Sequence, residues 1–95
     1  MLYVVKCVDK ANHLQVRLDN RADHLAHLKS YGDKLIAAGP TLSDEDDQMN
    51  GSVVILDLEN QTQAEEFCTN DPYAKAGLFE SVTVSKWKKV LPAES

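Results

Sequence analysis

Gly51-Ser52-Val53-Val54-Ile55-Leu56-Asp57-Leu58 is the stretch on which the fold turns. Val53 to Leu56 run without a polar interruption and are mostly β-branched, the pattern of a strand buried at the centre of a sheet. Asn50-Gly51 ahead of it is a strong turn signal, closing an acidic loop over Asp44–Asn50. Pro40-Thr41-Leu42-Ser43 fits a short edge strand, where proline is tolerated. Downstream, Thr62-Gln63-Ala64-Glu65 reads as a capping box that starts a helix running through Phe67 and Cys68 to Asn70. Asp71-Pro72 then restarts the chain, with Asp71 as N-cap and Pro72 at the first helical position, ending near Gly77. From Leu78 onward the run Val82–Trp87 alternates in character and forms the last strand. Pro92–Ser95 is a polar tail.

Upstream, Leu2–Val8 is β-branched and apolar and is the first strand. Asp9–Leu18 is polar and irregular and reads as a connection. A helix capped by Asp19 or Asn20 extends to about Ala38, with Gly39 as its left-handed stop and Pro40 preventing continuation. The order is β-α-β-β-α-β. It implies an α+β, ferredoxin-like domain over residues 1–95, with helices on one face of a four-stranded antiparallel sheet. Two helices cover one face only, so the other face invites a second sheet.

The balance of charges narrows the partners. Ten Lys and Arg against 15 Asp and Glu give a net charge of −5 over 95 residues. A phosphate-binding surface needs the opposite sign, which argues against nucleic acid and against anionic membranes. No apolar run approaches the ~20 residues that span a bilayer. The amino terminus lacks a basic region and a cleavage site, so the expected location is cytoplasmic. Cys7 and Cys68 form no CxxC pair and read as two reduced thiols.

On the first helix, Leu25, Leu28, Tyr31, Gly32, Leu35 and Ile36 make one apolar stripe at 100° spacing. Arg21 and His24 fall on the same stripe at its amino-terminal end, where polar groups need partners. A histidine there is either a satisfied core residue or a functional one, and spacing alone does not decide. His27 sits at the stripe's edge. His24 and His27 are three apart, but no third ligand is recognisable, so no metal is expected. Asp44-Glu45-Asp46-Asp47 lacks the glycine and terminal glutamate of a calcium loop. No glycine-rich phosphate loop and no GxSxG elbow occurs around Ser52, and no cofactor is expected.

Taken in order, Arg21-x-x-His24-x-x-x-Leu28, Gly39-Pro40, Gly51-Ser52 and Asp71-Pro72-Tyr73 with Gly77 resemble the YciI-like (YCII-related) proteins across nearly the whole chain. The resemblance implies a ferredoxin-like domain that pairs through its sheets as a homodimer, a dimeric α/β-barrel-like assembly. It also implies a pocket with a His-Asp dyad, falling here on His24 and Asp71. A few members resemble enzymes handling small cyclic compounds, including a dehydrochlorinase acting on a chlorinated hydroxyquinol. The family leaves the substrate open.

Two functions of different class follow. One is a cofactor-independent lyase or isomerase acting on a small cyclic or aromatic substrate. There His24 shuttles a proton, Asp71 orients it, Arg21 or Ser52 holds an oxyanion, and Tyr73 lies nearby. The alternative is a dimeric binding or accessory module that holds a small ligand without turnover.

Overall fold

The computed structural model describes residues 1–93. Its elements in chain order are β1 (Leu2–Asp9), α1 (Leu14–Asp19), α2 (Arg21–Lys29), a 3₁₀ turn (Gly32–Lys34), β2 (Leu35–Leu42), β3 (Met49–Asp57), α3 (Gln61–Asn70), α4 (Pro72–Lys75) and β4 (Phe79–Trp87). The strands form one sheet in the order β2-β3-β1-β4. All three pairings are antiparallel. This is the ferredoxin-like order expected from the sequence, with each helical crossover divided into two helices. Glu94 and Ser95 of the polar tail lie outside the described residues.

The two faces of the sheet differ because side chains alternate along each strand. Tyr3, Val5 and Cys7 of β1 join Val54 and Leu56 of β3 in a core closed by Leu28 of α2 and by Ala64 and Phe67 of α3. The opposite face carries Val4 and Lys6 beside Ile55 and Val53. Val8 and Trp87 on that face are 39% and 42% exposed.

Five local expectations are corrected. Asp9–Leu18 contains a helix, α1, with no side-chain cap at its start. Without a cap and with only six residues, it leaves little periodic signal. The first long helix does not reach Ala38: α2 ends at Lys29, and Gly32 takes φ +54°. That left-handed conformation suits glycine and stops the helix two turns early. Leu35-Ile36-Ala37-Ala38 then becomes strand, because an apolar run of that length suits either state and β3 offers an edge to pair with. The edge strand is therefore Leu35–Leu42 rather than the four residues from Pro40.

Asn50-Gly51 is not a turn but part of β3. A Cβ on Gly51 would stand 2.4 Å from the Cys7 carbonyl oxygen and 2.6 Å from Thr41 Oγ1, so the glycine serves close strand approach. The cap of α3 also lies two residues earlier than the Thr62–Glu65 box. Asn60 Oδ1 accepts from the Gln63 backbone N–H at 3.0 Å. Gln63 Oε1 in turn accepts from the Glu59 N–H at 3.0 Å.

Candidate active site

Asp71-Pro72 builds its own corner. The Asp71 carboxylate accepts from the Tyr73 N–H at 2.9 Å, and Pro72 occupies the first turn of α4, as the N-cap reading requires. That cap fixes the carboxylate at the junction of α3 and α4. The same oxygen, Oδ1, lies 2.9 Å from Nδ1 of His24, which α2 projects from the buried side of its first two turns. His24 and Asp71 are both buried. Facing a carboxylate that offers no hydrogen, Nδ1 of a neutral imidazole carries the hydrogen and donates it. That leaves Nε2 as the lone-pair nitrogen.

Nε2 has no hydrogen-bond partner among the described residues. Yet among the described residues no buried side-chain nitrogen or oxygen is left without a partner, so Nε2 is not sealed into the core. His24 lines a cavity of about 190 Å³ between α1, α2, α4, β2 and β3. Tyr73 stacks on the imidazole at 3.9 Å between ring centres with 15° between planes, which limits rotation of the ring.

A second buried cluster flanks the first. Arg17 donates through Nε and Nη2 to the two oxygens of Asp9, at 2.7 and 2.9 Å. Nη2 donates also to Ser52 Oγ at 2.9 Å. The guanidinium lies 4.7 Å from the centre of the Tyr73 ring, so Tyr73 touches both clusters. Burial alone pulls the Arg17 pKa down, but its bonds to Asp9 and the Asp9 charge outweigh this and raise it above its ordinary value. Arg17 is therefore a permanent cation. Burial pushes the Tyr73 phenol up against the opposing pull of Arg17 and Arg21, so it stays protonated.

The structure thus brings His24, Tyr73 and Ser52 around one cavity, with Asp71 behind His24. Arg21 lines the same cavity but stays exposed and forms no ion pair among the described residues. Arg17 and Asp9 were missed, since both fell in the segment read as a connection. His27 turns away and meets the Phe67 carbonyl oxygen at 3.0 Å, stacked on the Phe67 ring. Among the described residues no three His, Cys, Asp or Glu side chains cluster closely enough to hold a metal ion. No described helix is long and apolar enough to cross a membrane.

Fold and site together define a class: a ferredoxin-like α+β domain whose helical layer covers a small cavity walled by the histidine of a buried His-Asp pair. Within that class the chain belongs to the YCII-related domain family, which matches residues 1–88. It is 40% identical over 97 residues to Protein YciI of Escherichia coli, covering 95% of this chain and 99% of that one. It is similar to the solved structure of 5-chloro-2-hydroxyhydroquinone dehydrochlorinase (TftG) from Burkholderia phenoliruptrix in complex with 2,5-dihydroxybenzoquinone, at 41% identity and TM-score 0.86. That match covers 93% of this chain and 94% of the other. SnoaB from Streptomyces nogalater shares the fold at 10% identity and TM-score 0.63, covering 97% of each chain.

Proposed function

We propose that this protein is a cofactor-independent enzyme of the lyase or isomerase type that moves a proton on a small cyclic or aromatic substrate. The observation that carries the reading is the asymmetry of His24. Nδ1 is committed to Asp71 at 2.9 Å, while Nε2 has no partner among the described residues and is not sealed in, and His24 lines the cavity. An imidazole held this way has one tautomer and one orientation, as a general base requires. In this mechanism His24 Nε2 takes a proton from the bound ring; in an isomerisation it returns that proton to another ring atom, and in an elimination the freed electron pair expels chloride and the proton passes to water. Asp71 steadies the imidazolium that forms in between. Arg21 and the Ser52 hydroxyl face the oxygen on which negative charge develops, and Tyr73 fixes the plane of the imidazole. The similarity to TftG supports a hydroxylated ring as substrate, since elimination and keto–enol shifts on such rings both need one well-placed base.

Chloride release from 5-chloro-2-hydroxyhydroquinone, followed beside solvent-deuterium exchange into other single-ring hydroxyquinols, tests the reading. Wild type should act on at least one of them, and His24→Ala should lose about 10²–10⁴-fold of that rate. If wild type binds these rings and transforms none, the protein is instead the binding module that the sequence also allows.

We also infer that two copies pair through the open face of the sheet. Val8 and Trp87 leave apolar surface exposed there, and the helical residues of the core, Leu28, Ala64 and Phe67, pack on the other face. Val4→Lys should convert a light-scattering dimer into a monomer. An unchanged mass would place the contact elsewhere.

A further inference from the structure

Met49 stands where alternation along β3 would not put it. Ser52, Val54 and Leu56 of that strand are buried on the helical side of the sheet. Strict alternation carried backward from them turns Asn50 inward and Met49 outward. The pairing with β2 shows why this fails. Thr41 lies opposite Gly51 and the next residue, Leu42, lies opposite Met49, so Asn50 has no partner on β2. One extra residue in a strand is a bulge, and a bulge re-aims the side chains beyond it. Asn50 is exposed, its side-chain oxygen accepting from Thr41 Oγ1 at 2.7 Å. Met49 is half-buried and lines the cavity that His24 lines.

Met49 also lines a second cavity, of about 250 Å³, walled by Asp9, Lys10, His13 and Gln48 among others. Asp9 is the carboxylate that Arg17 grips, and Arg17 lines the first cavity. The two spaces therefore meet at Met49 and at the Arg17–Asp9 pair. The ion pair is buried, and taking away either member leaves the other charge unpaired. Met49 carries no charge, and its flexible thioether fills an irregular gap by shape alone. It is the part of the partition that a substitution can open without stranding a buried charge.

We propose that Met49 sets the size of ring this protein accepts: its side chain closes the first cavity against the second, so that one ring fits beside His24 and two fused rings do not. This rests on the reading above that the cavity at His24 takes a ring, and it does not need that ring to be transformed. At about 190 Å³ the first cavity falls below the ~300–1,000 Å³ of sites for drug-sized molecules, so a second ring has to come from the space behind Met49. The bulge at Asn50 is what delivers the side chain to that boundary, which gives the break in strand alternation a role in ligand choice.

Catechol and 2,3-dihydroxynaphthalene carry the same pair of hydroxyls and differ by one fused ring, so calorimetric titration of both reads the size limit directly. Wild type should bind catechol and prefer it over the naphthalene diol by about 10-fold or more. Met49→Ala should tighten binding of the naphthalene diol by about 10–200-fold, the range over which a filled or opened apolar pocket discriminates, with catechol changed little. Met49→Leu, which conserves volume, should keep the wild-type preference. Leu42→Ala loosens the same bulge from the opposite strand at a residue that lines neither cavity, and should keep it too. Equal binding of the two diols by wild type, an unchanged ratio in Met49→Ala, an equal shift in Leu42→Ala, or no binding of either ring overturns the proposal. A preference that moves with Met49 while no ring is transformed leaves it standing and removes the catalytic reading. His24-dependent turnover with a ratio that ignores Met49 does the reverse.

Discussion

Asp9 grips Arg17 with both oxygens, whereas Asp71 offers His24 a single oxygen and shares it with the backbone N–H of Tyr73. The side chains of both pairs are buried, and Arg17 and His24 line one cavity and each lie against the Tyr73 ring. The bidentate pair satisfies a charge that never leaves, so its geometry is that of a fixed support. The single-oxygen pair holds an imidazole whose far nitrogen can gain or lose a proton, with the carboxylate anchored by a helix cap whatever the imidazole does. One wall keeps its shape and the other can change state. Where a carboxylate's second partner comes from decides which of these a buried pair becomes.

The sharpest way to break this comparison is to remove the two partners separately. His24→Ala carries the largest expected effect on rate, a loss of about 10²–10⁴-fold in turnover. Stability should fall less, because Asp71 retains the Tyr73 N–H. Thermal melting beside a progress curve checks both halves. Asp9→Ala should act the other way round, leaving Arg17 buried without its carboxylate and lowering stability by about 3–5 kcal/mol in urea denaturation. If Asp9→Ala melts like wild type, the view of that pair as a support is wrong.

Asp71→Asn sits between them. It keeps an oxygen for the cap but loses the charge that steadies the imidazolium, so turnover should fall less than in His24→Ala. Asp71→Ala additionally removes the cap, at about 1 kcal/mol. Comparing the two by calorimetry separates capping from proton transfer.

The smallest effect belongs to alkaline pH. Burial, followed by the nearby Cys68, Asp71 and Asp9, raises the Cys7 thiol to about 12 from its ordinary 9.0. Burial and Asp71 likewise raise Cys68 to about 11. The unfolded chain therefore releases these protons first, and stability falls as pH climbs from 9 toward 12. Cys7→Ala should flatten that decline in a series of melts. A decline that persists in the double variant Cys7→Ala, Cys68→Ala belongs to Tyr73 and Tyr31, whose phenols burial also raises.

How much of this was legible beforehand follows from the range over which each signal acts. Asp71-Pro72 was readable because a cap and the helix it starts are adjacent in sequence, and the structure keeps both roles. His24 was readable as an inward polar residue on α2 because a helix repeats every 3.6 residues. Arg17 was not. Its helix is six residues long with no cap, and its partners lie eight residues back and 35 residues ahead. Long-range pairing of that kind leaves no local spacing to read. Gly32 misled in a subtler way: placed in the apolar stripe by periodicity, it is the residue whose positive φ ends α2. At Asn50-Gly51 a turn dipeptide turned out to serve the approach of β3 to β1 and β2, since the demand for no side chain there comes from across the sheet. Local grammar therefore recovered the order of strands and helices along the chain and placed His24 and Asp71 singly, while their pairing came from the family resemblance.

The stacking of Tyr73 on His24 has a consequence in magnetic resonance. An aromatic face 3.9 Å from the imidazole centre, nearly parallel to it, shields the ring protons of His24. His13 stacks on no ring, and His27 lies farther from its neighbour, 4.8 Å from the centre of Phe67. The three histidines should therefore give three separated imidazole signals in a proton spectrum, with that of His24 farthest upfield. A phenylalanine at position 73 would preserve the displacement, and a leucine would erase it. The enclosed imidazole thus carries its own spectroscopic label, and its protonation can be followed in intact protein without any substrate in hand.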